Sequence, residues 1–125
     1  VSKRINLSSG GAFEDVFGYS RAVRFGEHLH IAGTCAPPEH EKDDAYIQTK
    51  AILKIVSGVI EQAGMQLSDV VRTVVYVRDM NDAELVAKAH KEVFDNIRPA
   101  STLVQVGSML RMWHRVEIET YAIAA

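Results

Sequence analysis

Residues 70–77 read Val-Val-Arg-Thr-Val-Val-Tyr-Val. A run this rich in β-branched side chains predicts a strand, and apolar residues at both parities predict that it is buried. On either side the apolar spacing turns helical. From about Asp44 to Ala63, Ile52, Ile55, Val56, Val59 and Ala63 recur every three or four residues, the stripe of an amphipathic helix. Asp43 or Asp44 is placed to cap its start, and Gly64 stands just past its end. Downstream, Leu85, Val86, Ala89 and Val93 make a second stripe, with Asn81 and Glu84 spaced as a capping box and Pro99 stopping anything helical.

The flanks supply more strands. Arg21–Phe25 and Leu29–Ala32 are joined through Gly26-Glu27, and a glycine first in a two-residue turn suits a type II′ hairpin. Ser8 to Gly18, with Phe13, Val16 and Phe17, reads as an ordered loop with apolar anchors, and Gly33 to Lys42 as a second loop. Ser68-Asp69 makes the turn into the buried strand, and Ser101–Val106 and Arg115–Ala124 close the chain as strands. The order is hairpin, helix, strand, helix, strand, strand, in a single domain over residues 1–125. Two helices can cover only one face of such a sheet.

Parity shows what the other face carries. Val116, Ile118 and Ala122 point one way, whereas Arg115, Glu117, Glu119, Tyr121 and Ile123 point the other. On the preceding strand Ser101, Leu103 and Gln105 are assigned to the face away from the helices. A mixed face with this much apolar surface calls for a partner, and self-association is the simplest cover.

Composition narrows the class. Apolar residues make up 47% of the 125, enough for a core, and the formal net charge is -2. That balance makes a nucleic-acid partner an unfavoured reading, since such proteins carry a basic excess. No apolar run is long enough to span a bilayer and the N-terminus shows no signal-like apolar segment, so the expectation is a cytoplasmic protein with no membrane association. The lone Cys35 allows no internal disulfide. His28 and His30 share a strand face, but no third ligand is identifiable, so no metal site is expected. No glycine-rich phosphate cradle or other cofactor motif is present.

Several blocks resemble one family. Gly18-Tyr19-Ser20-Arg21-Ala22-Val23, Ile31-Ala32-Gly33, Ser68-Asp69-Val70-Val71-Arg72-Thr73, Arg98-Pro99-Ala100-Ser101-Thr102 and Val116-Glu117-Ile118-Glu119 look like the RidA/YjgF superfamily in order and spacing, over almost the whole chain. The resemblance implies a chorismate-mutase-like α+β subunit, with two helices on one face of a mixed sheet. It further implies a homotrimer around a central barrel, with small-molecule pockets between subunits. Active members hydrolyse imines and enamines to ammonia and a carbonyl compound, without a cofactor. The resemblance matches Glu119 to a catalytic, water-positioning glutamate and Tyr19 to a pocket-lining tyrosine. Some members bear endoribonuclease names, a reading the composition does not favour.

One position departs from the family. Ser101 stands where an Arg-Pro-Ala-Arg motif would place a carboxylate-binding arginine. A guanidinium offers a planar charged fork, whereas serine offers one neutral hydroxyl. Hydrogen bonds to charged groups are worth roughly 1.5–3 kcal/mol each, so the loss could cost on the order of a hundredfold in binding or rate. Ser101, Arg21 and Arg115 are the further substrate-binding candidates, the arginines as displaced sources of positive charge. For Arg115 an ion pair with Glu117 or a neighbouring subunit competes with that role, and for Arg21 a solvated hairpin position does. Two functions remain open: a divergent imine or enamine deaminase, or related hydrolase, with an altered substrate; and a non-catalytic ligand- or partner-binding protein on the same scaffold.

Overall fold

The computed structural model describes residues 3–125. Six strands form one sheet: β1 (Arg4–Leu7), β2 (Ala22–Phe25), β3 (His28–Thr34), β4 (Val70–Val77), β5 (Ala100–Gln105) and β6 (Val116–Ile123), in the spatial order β1-β2-β3-β6-β4-β5. Only β4 and β5 run parallel, so the sheet is mixed. Helices α2 (Ala45–Gln62) and α3 (Ala83–Phe94) lie together on one face, and a short helix α1 (Ala12–Phe17) precedes the hairpin.

The core follows the apolar spacing. Ile52, Val56, Val59 and Ile60 of α2 and Val86 and Phe94 of α3 are buried with Leu29, Ile31, Val75, Val77, Val116 and Ile118 of the sheet. Burying a side chain of this size is worth about 1.5–3 kcal/mol, so these residues fix which face the helices cover. Asp44 caps α2, its side chain accepting from the Ile47 N–H. In the β2–β3 turn Gly26 takes a positive φ of 60°, as a type II′ turn requires.

The structure departs from the sequence reading at several points. Arg4–Leu7 pairs with β2 as an edge strand; its four residues alternate polar and apolar, but the run is too short and too exposed to announce a strand. The segment read as a loop from Ser8 to Gly18 contains α1, which ends on Gly18 in the left-handed conformation. The second loop begins later than expected, because β3 continues through Thr34. The capping box at Asn81 and Glu84 does not form; the Asp79 side chain accepts from the Asn81 N–H instead and starts a 3-10 turn ahead of α3. Strand β4 is less buried than its composition suggests, for Val71 and Arg72 lie exposed near its entry.

Strand β6 behaves as its alternation predicts. Val116, Ile118, Thr120 and Ala122 are buried under the helices, and Glu117, Glu119 and Tyr121 occupy the open face. The assignment for β5 is reversed. Ser101 pairs with Thr73 and Leu103 with Val75, both on the helix side, and Leu103 packs against the core. Laterally paired residues in a sheet share a face. Ser101, Leu103 and Gln105 therefore face the helices, and Thr102 and Val104 the open side. Leu103 marks the core face, and Ser101 follows it.

Candidate functional site

The open face of the sheet meets α1 in two cavities that share Tyr19. One, of about 660 Å³, is lined by Tyr19, His30, Glu119 and Tyr121 with Glu14 and Asp15 of α1. The other, of about 510 Å³, is lined by Tyr19, Arg21, Cys35, His114 and Glu117 under the rings of Phe13 and Phe17. Tyr19 stands between them because Phe13 and Phe17 pack on its ring, at 6.3 and 6.0 Å between centroids.

Helix α1 is held by one carboxylate. Glu14 accepts from the Ser9 N–H and from the hydroxyls of Ser8 and Ser9, which ties the Ser-Ser-Gly-Gly loop to the helix. These donors, led by the Ser9 hydroxyl, hold the Glu14 carboxyl below its ordinary range. Helix α1 in turn presents the two phenylalanines that roof the second cavity.

Glu119 and Tyr19 line the same cavity, but the carboxylate is already engaged. Tyr76 donates to one oxygen at 2.6 Å and Tyr121 donates to the other. The bonds to Glu119 push the Tyr76 phenol up to about 12 and raise that of Tyr121 as well, so both stay protonated as donors. Arg72 lies over the Tyr121 ring. This is a satisfied polar cluster on the open face.

Glu117, two residues earlier on the same face, sits differently. It approaches Gly33 so closely that a β-carbon there would overlap its carboxylate, and a glycine at that position admits it. The approach is possible because β3 carries a bulge between Ile31 and Thr34. Its other neighbour is the Cys35 thiol, a weak donor, which burial and the Glu117 charge push well up, so the thiol stays protonated and inert. Arg21 enters the same cavity. Its Nη2 donates to the Gly33 carbonyl at 2.9 Å and its guanidinium lies 5.5 Å from the Tyr19 ring centroid. Its Nε is buried and has no hydrogen-bond partner among the described residues. A cation with an unused donor and a carboxylate whose only donor among the described residues is a thiol thus share one aromatic-walled cavity, the pattern expected where a polar ligand completes the hydrogen bonding.

The remaining candidates lie elsewhere in the subunit. Arg115 pairs with Asp82, at 3.2 Å, rather than with Glu117, and lines a separate depression with Arg78 and Trp113. Its side chain is drawn off to the start of α3. Ser101 lies on the helix side, where Thr73 donates to its hydroxyl at 2.7 Å, and so does not join Glu119 in this chain. Arg98 takes a left-handed φ of 57° and pairs with Asp95, a structural position. Sequence reasoning passed over Glu117. The signal was Gly33, since a glycine inside a strand marks a close approach, and β6 lies alongside. Among the described residues no cluster suited to a metal ion is found, and no helix is long and apolar enough to cross a membrane.

Comparison with known proteins places this geometry in a family. The model of the Endoribonuclease L-PSP family matches residues 10–124. An uncharacterised protein of Streptomyces coelicolor is 35% identical over 120 residues, covering 92% of this chain and 90% of that protein. A mouse protein named 2-iminobutanoate/2-iminopropanoate deaminase is 31% identical over 109 residues, covering 84% and 80%. The crystal structure of a Mycobacterium tuberculosis member of the YjgF/YER057c/UK114 family superposes with a TM-score of 0.91 at 39% identity, covering 97% of this chain and 99% of that one. An α+β chain of this topology is thus shared with proteins of one group. The chain belongs to the Endoribonuclease L-PSP family, the RidA/YjgF superfamily.

Proposed function

We propose that the protein is a divergent hydrolase of the RidA/YjgF type, acting on the C–N bond of an imine, enamine or related carbonyl compound, and that Glu117 orients the attacking water. The observation that carries this reading is the joint placement of Glu117, Arg21 and Tyr19 in one cavity, while both oxygens of Glu119 are taken by phenols. Water adds to the imine carbon as one proton passes to Glu117, which returns it to the nitrogen; Glu117 then carries the proton of the carbinolamine hydroxyl to the same nitrogen as the C–N bond breaks, so that ammonia leaves and a carbonyl remains. Arg21, which lines the same cavity, holds an electron-rich group of the substrate through its guanidinium. The deaminase names of the mouse and Dermatophagoides farinae relatives support the bond type.

The same reading includes a homotrimer in which open faces meet around a barrel and a neighbouring subunit closes each cavity. Phe25, Val104 and Ile123 are exposed on that face, at 53%, 40% and 42%, and apolar surface of this kind marks an interface. A second reading, a binding protein without catalysis, draws on Ser101 in place of the clamp arginine.

Steady-state ammonia release from a panel of enzymatically generated imines, charged and uncharged, separates the two. Glu117→Gln should abolish release and Glu119→Gln should spare most of it. Imines bearing a carboxylate, such as 2-iminopropanoate, should be poor substrates. No release from any member of the panel favours the binding protein. Light scattering should give a mass near three subunits, and a monomer at micromolar concentration would refute the assembly.

A further inference from the structure

A second polar constellation lies on the helix side, away from Glu117. Thr73 is fully buried, and its hydroxyl sits between the Ser101 hydroxyl at 2.7 Å and His90 Nε2 at 2.9 Å. Ser101 is exposed at the edge strand. His90 is half-buried, its ring 4.7 Å from that of Phe94, and lines an open depression of about 280 Å³ with Phe94, Arg98 and Pro99.

The polarity of this line is set by the direction of the Thr73–Ser101 bond, because the His90 ring nitrogen can donate or accept. A threonine hydroxyl has one hydrogen, and Thr73 gives it to Ser101. His90 must then donate from Nε2 into the Thr73 oxygen. Burial lowers the affinity of the His90 ring for a second proton, so the donor is a neutral imidazole in its Nε2–H form. The chain runs imidazole to Thr73 to Ser101, and each donor polarises the next. What remains at the surface is the Ser101 O–H, which donates to no group among the described residues.

The charges around it do not amount to a clamp. The guanidinium of Arg98 is spent on Asp95, through Nη2 to Oδ1 and through Nε to the backbone carbonyl, each at 2.7 Å. Lys91 stands at the rim, exposed. We propose that Ser101, Thr73 and His90 form a subsite for an uncharged hydrogen-bond acceptor, a carbonyl or carboxamide oxygen. The inference deepens the reading of the protein as a small-metabolite binder by naming the class of group it takes here. A neutral donor chain suits an acceptor that is inexpensive to desolvate, whereas an unpaired carboxylate would be left without a counter-charge.

Two measurements test this. Long-range nitrogen–proton correlation spectra of His90 near neutral pH should show the neutral Nε2–H tautomer, with no ligand needed. The Nδ1–H form or an imidazolium would overturn the proposal. Titrations with the matched pair pyruvamide and pyruvate, followed at the Ser101 and His90 resonances, should show tighter binding of the amide. Ser101→Ala and the near-isosteric Thr73→Val should each weaken the amide by about threefold to tenfold, the value of one hydrogen bond, and leave pyruvate unchanged. Equal or tighter binding of pyruvate, its loss in Lys91→Gln, or no response to either ligand would overturn it. Failure of the catalytic reading is seen separately, as ammonia release indifferent to Glu117→Gln, with the tautomer and the amide preference intact.

Discussion

Gln48 is fully buried in the middle of α2, and its amide ties the helix to the segment leading into β6. Its Nε2 donates to the carbonyls of Trp113 at 3.1 Å, His40 at 3.2 Å and, weakly, Asp43 at 3.4 Å; its Oε1 accepts from the Arg115 N–H at 3.0 Å. Gln48→Met keeps the length and removes every one of these bonds. The His40 carbonyl retains a second donor, the Asp43 N–H. The Trp113 carbonyl and the Arg115 N–H are left without these bonds. Each unmet buried group costs about 1–3 kcal/mol, and the thioether recovers roughly 1 kcal/mol by sparing an amide its desolvation. The expected loss is about 1–5 kcal/mol, a large share of the 5–15 kcal/mol typical of whole domains. Equilibrium urea unfolding at fixed protomer concentration, comparing midpoints at constant slope, measures it. The segment from 106 to 115 also carries Leu110 and His114, which line the cavity of Glu117, so the variant should weaken ligand binding even where it remains folded. A loss below about 1 kcal/mol would show that water or a shifted backbone replaces the amide, and the reasoning would be wrong.

Gly33→Ala should push the Glu117 carboxylate out of its place; because only the end of a flexible side chain must move, the unfolding midpoint should barely change while ammonia release falls more than about tenfold. Glu14 has a depressed carboxyl, so its contribution is present above the ordinary carboxylate range near pH 4.5 and is lost as pH falls through the lower folded value. Glu14→Gln should therefore show a shallower decline of Tm below about pH 4.5 than the parent, and parallel curves would dismiss the clamp. Ser101→Arg should invert the ligand preference, raising affinity for pyruvate over pyruvamide, since a guanidinium matches a carboxylate; calorimetry on the folded variant decides it.

Much of the architecture was legible because it is written in periodicity. Strand β4 occupies residues 70–77 as its β-branched run predicts, α2 starts on its Asp44 cap, and β6 divides into a core face and an open face. Edge elements were harder. Strand β1 buries almost nothing and is specified by its partner β2, and α1 is six residues whose geometry depends on Glu14 reaching back to Ser8 and Ser9. The site was half visible. Tyr19 and Arg21 were singled out, and they share the second cavity. Glu117 was overlooked because a face assignment treats all acids of one parity alike; only a three-dimensional view reveals that phenols claim Glu119 and that Gly33 makes room for Glu117.

The bulge in β3 has a consequence for how such a site can arise and vanish. Between the Ile31–Thr120 and Thr34–Ile118 pairs, β3 spends two residues against one on β6. That single surplus residue breaks the ladder in the middle of the sheet and makes space for a carboxylate beside Gly33. Deleting one residue at position 32 or 33 would let the ladder run uninterrupted, leaving helices and core in place while the cavity closes over. In this scaffold the length of a strand, and not only the identity of its side chains, is a heritable switch for the presence of a site.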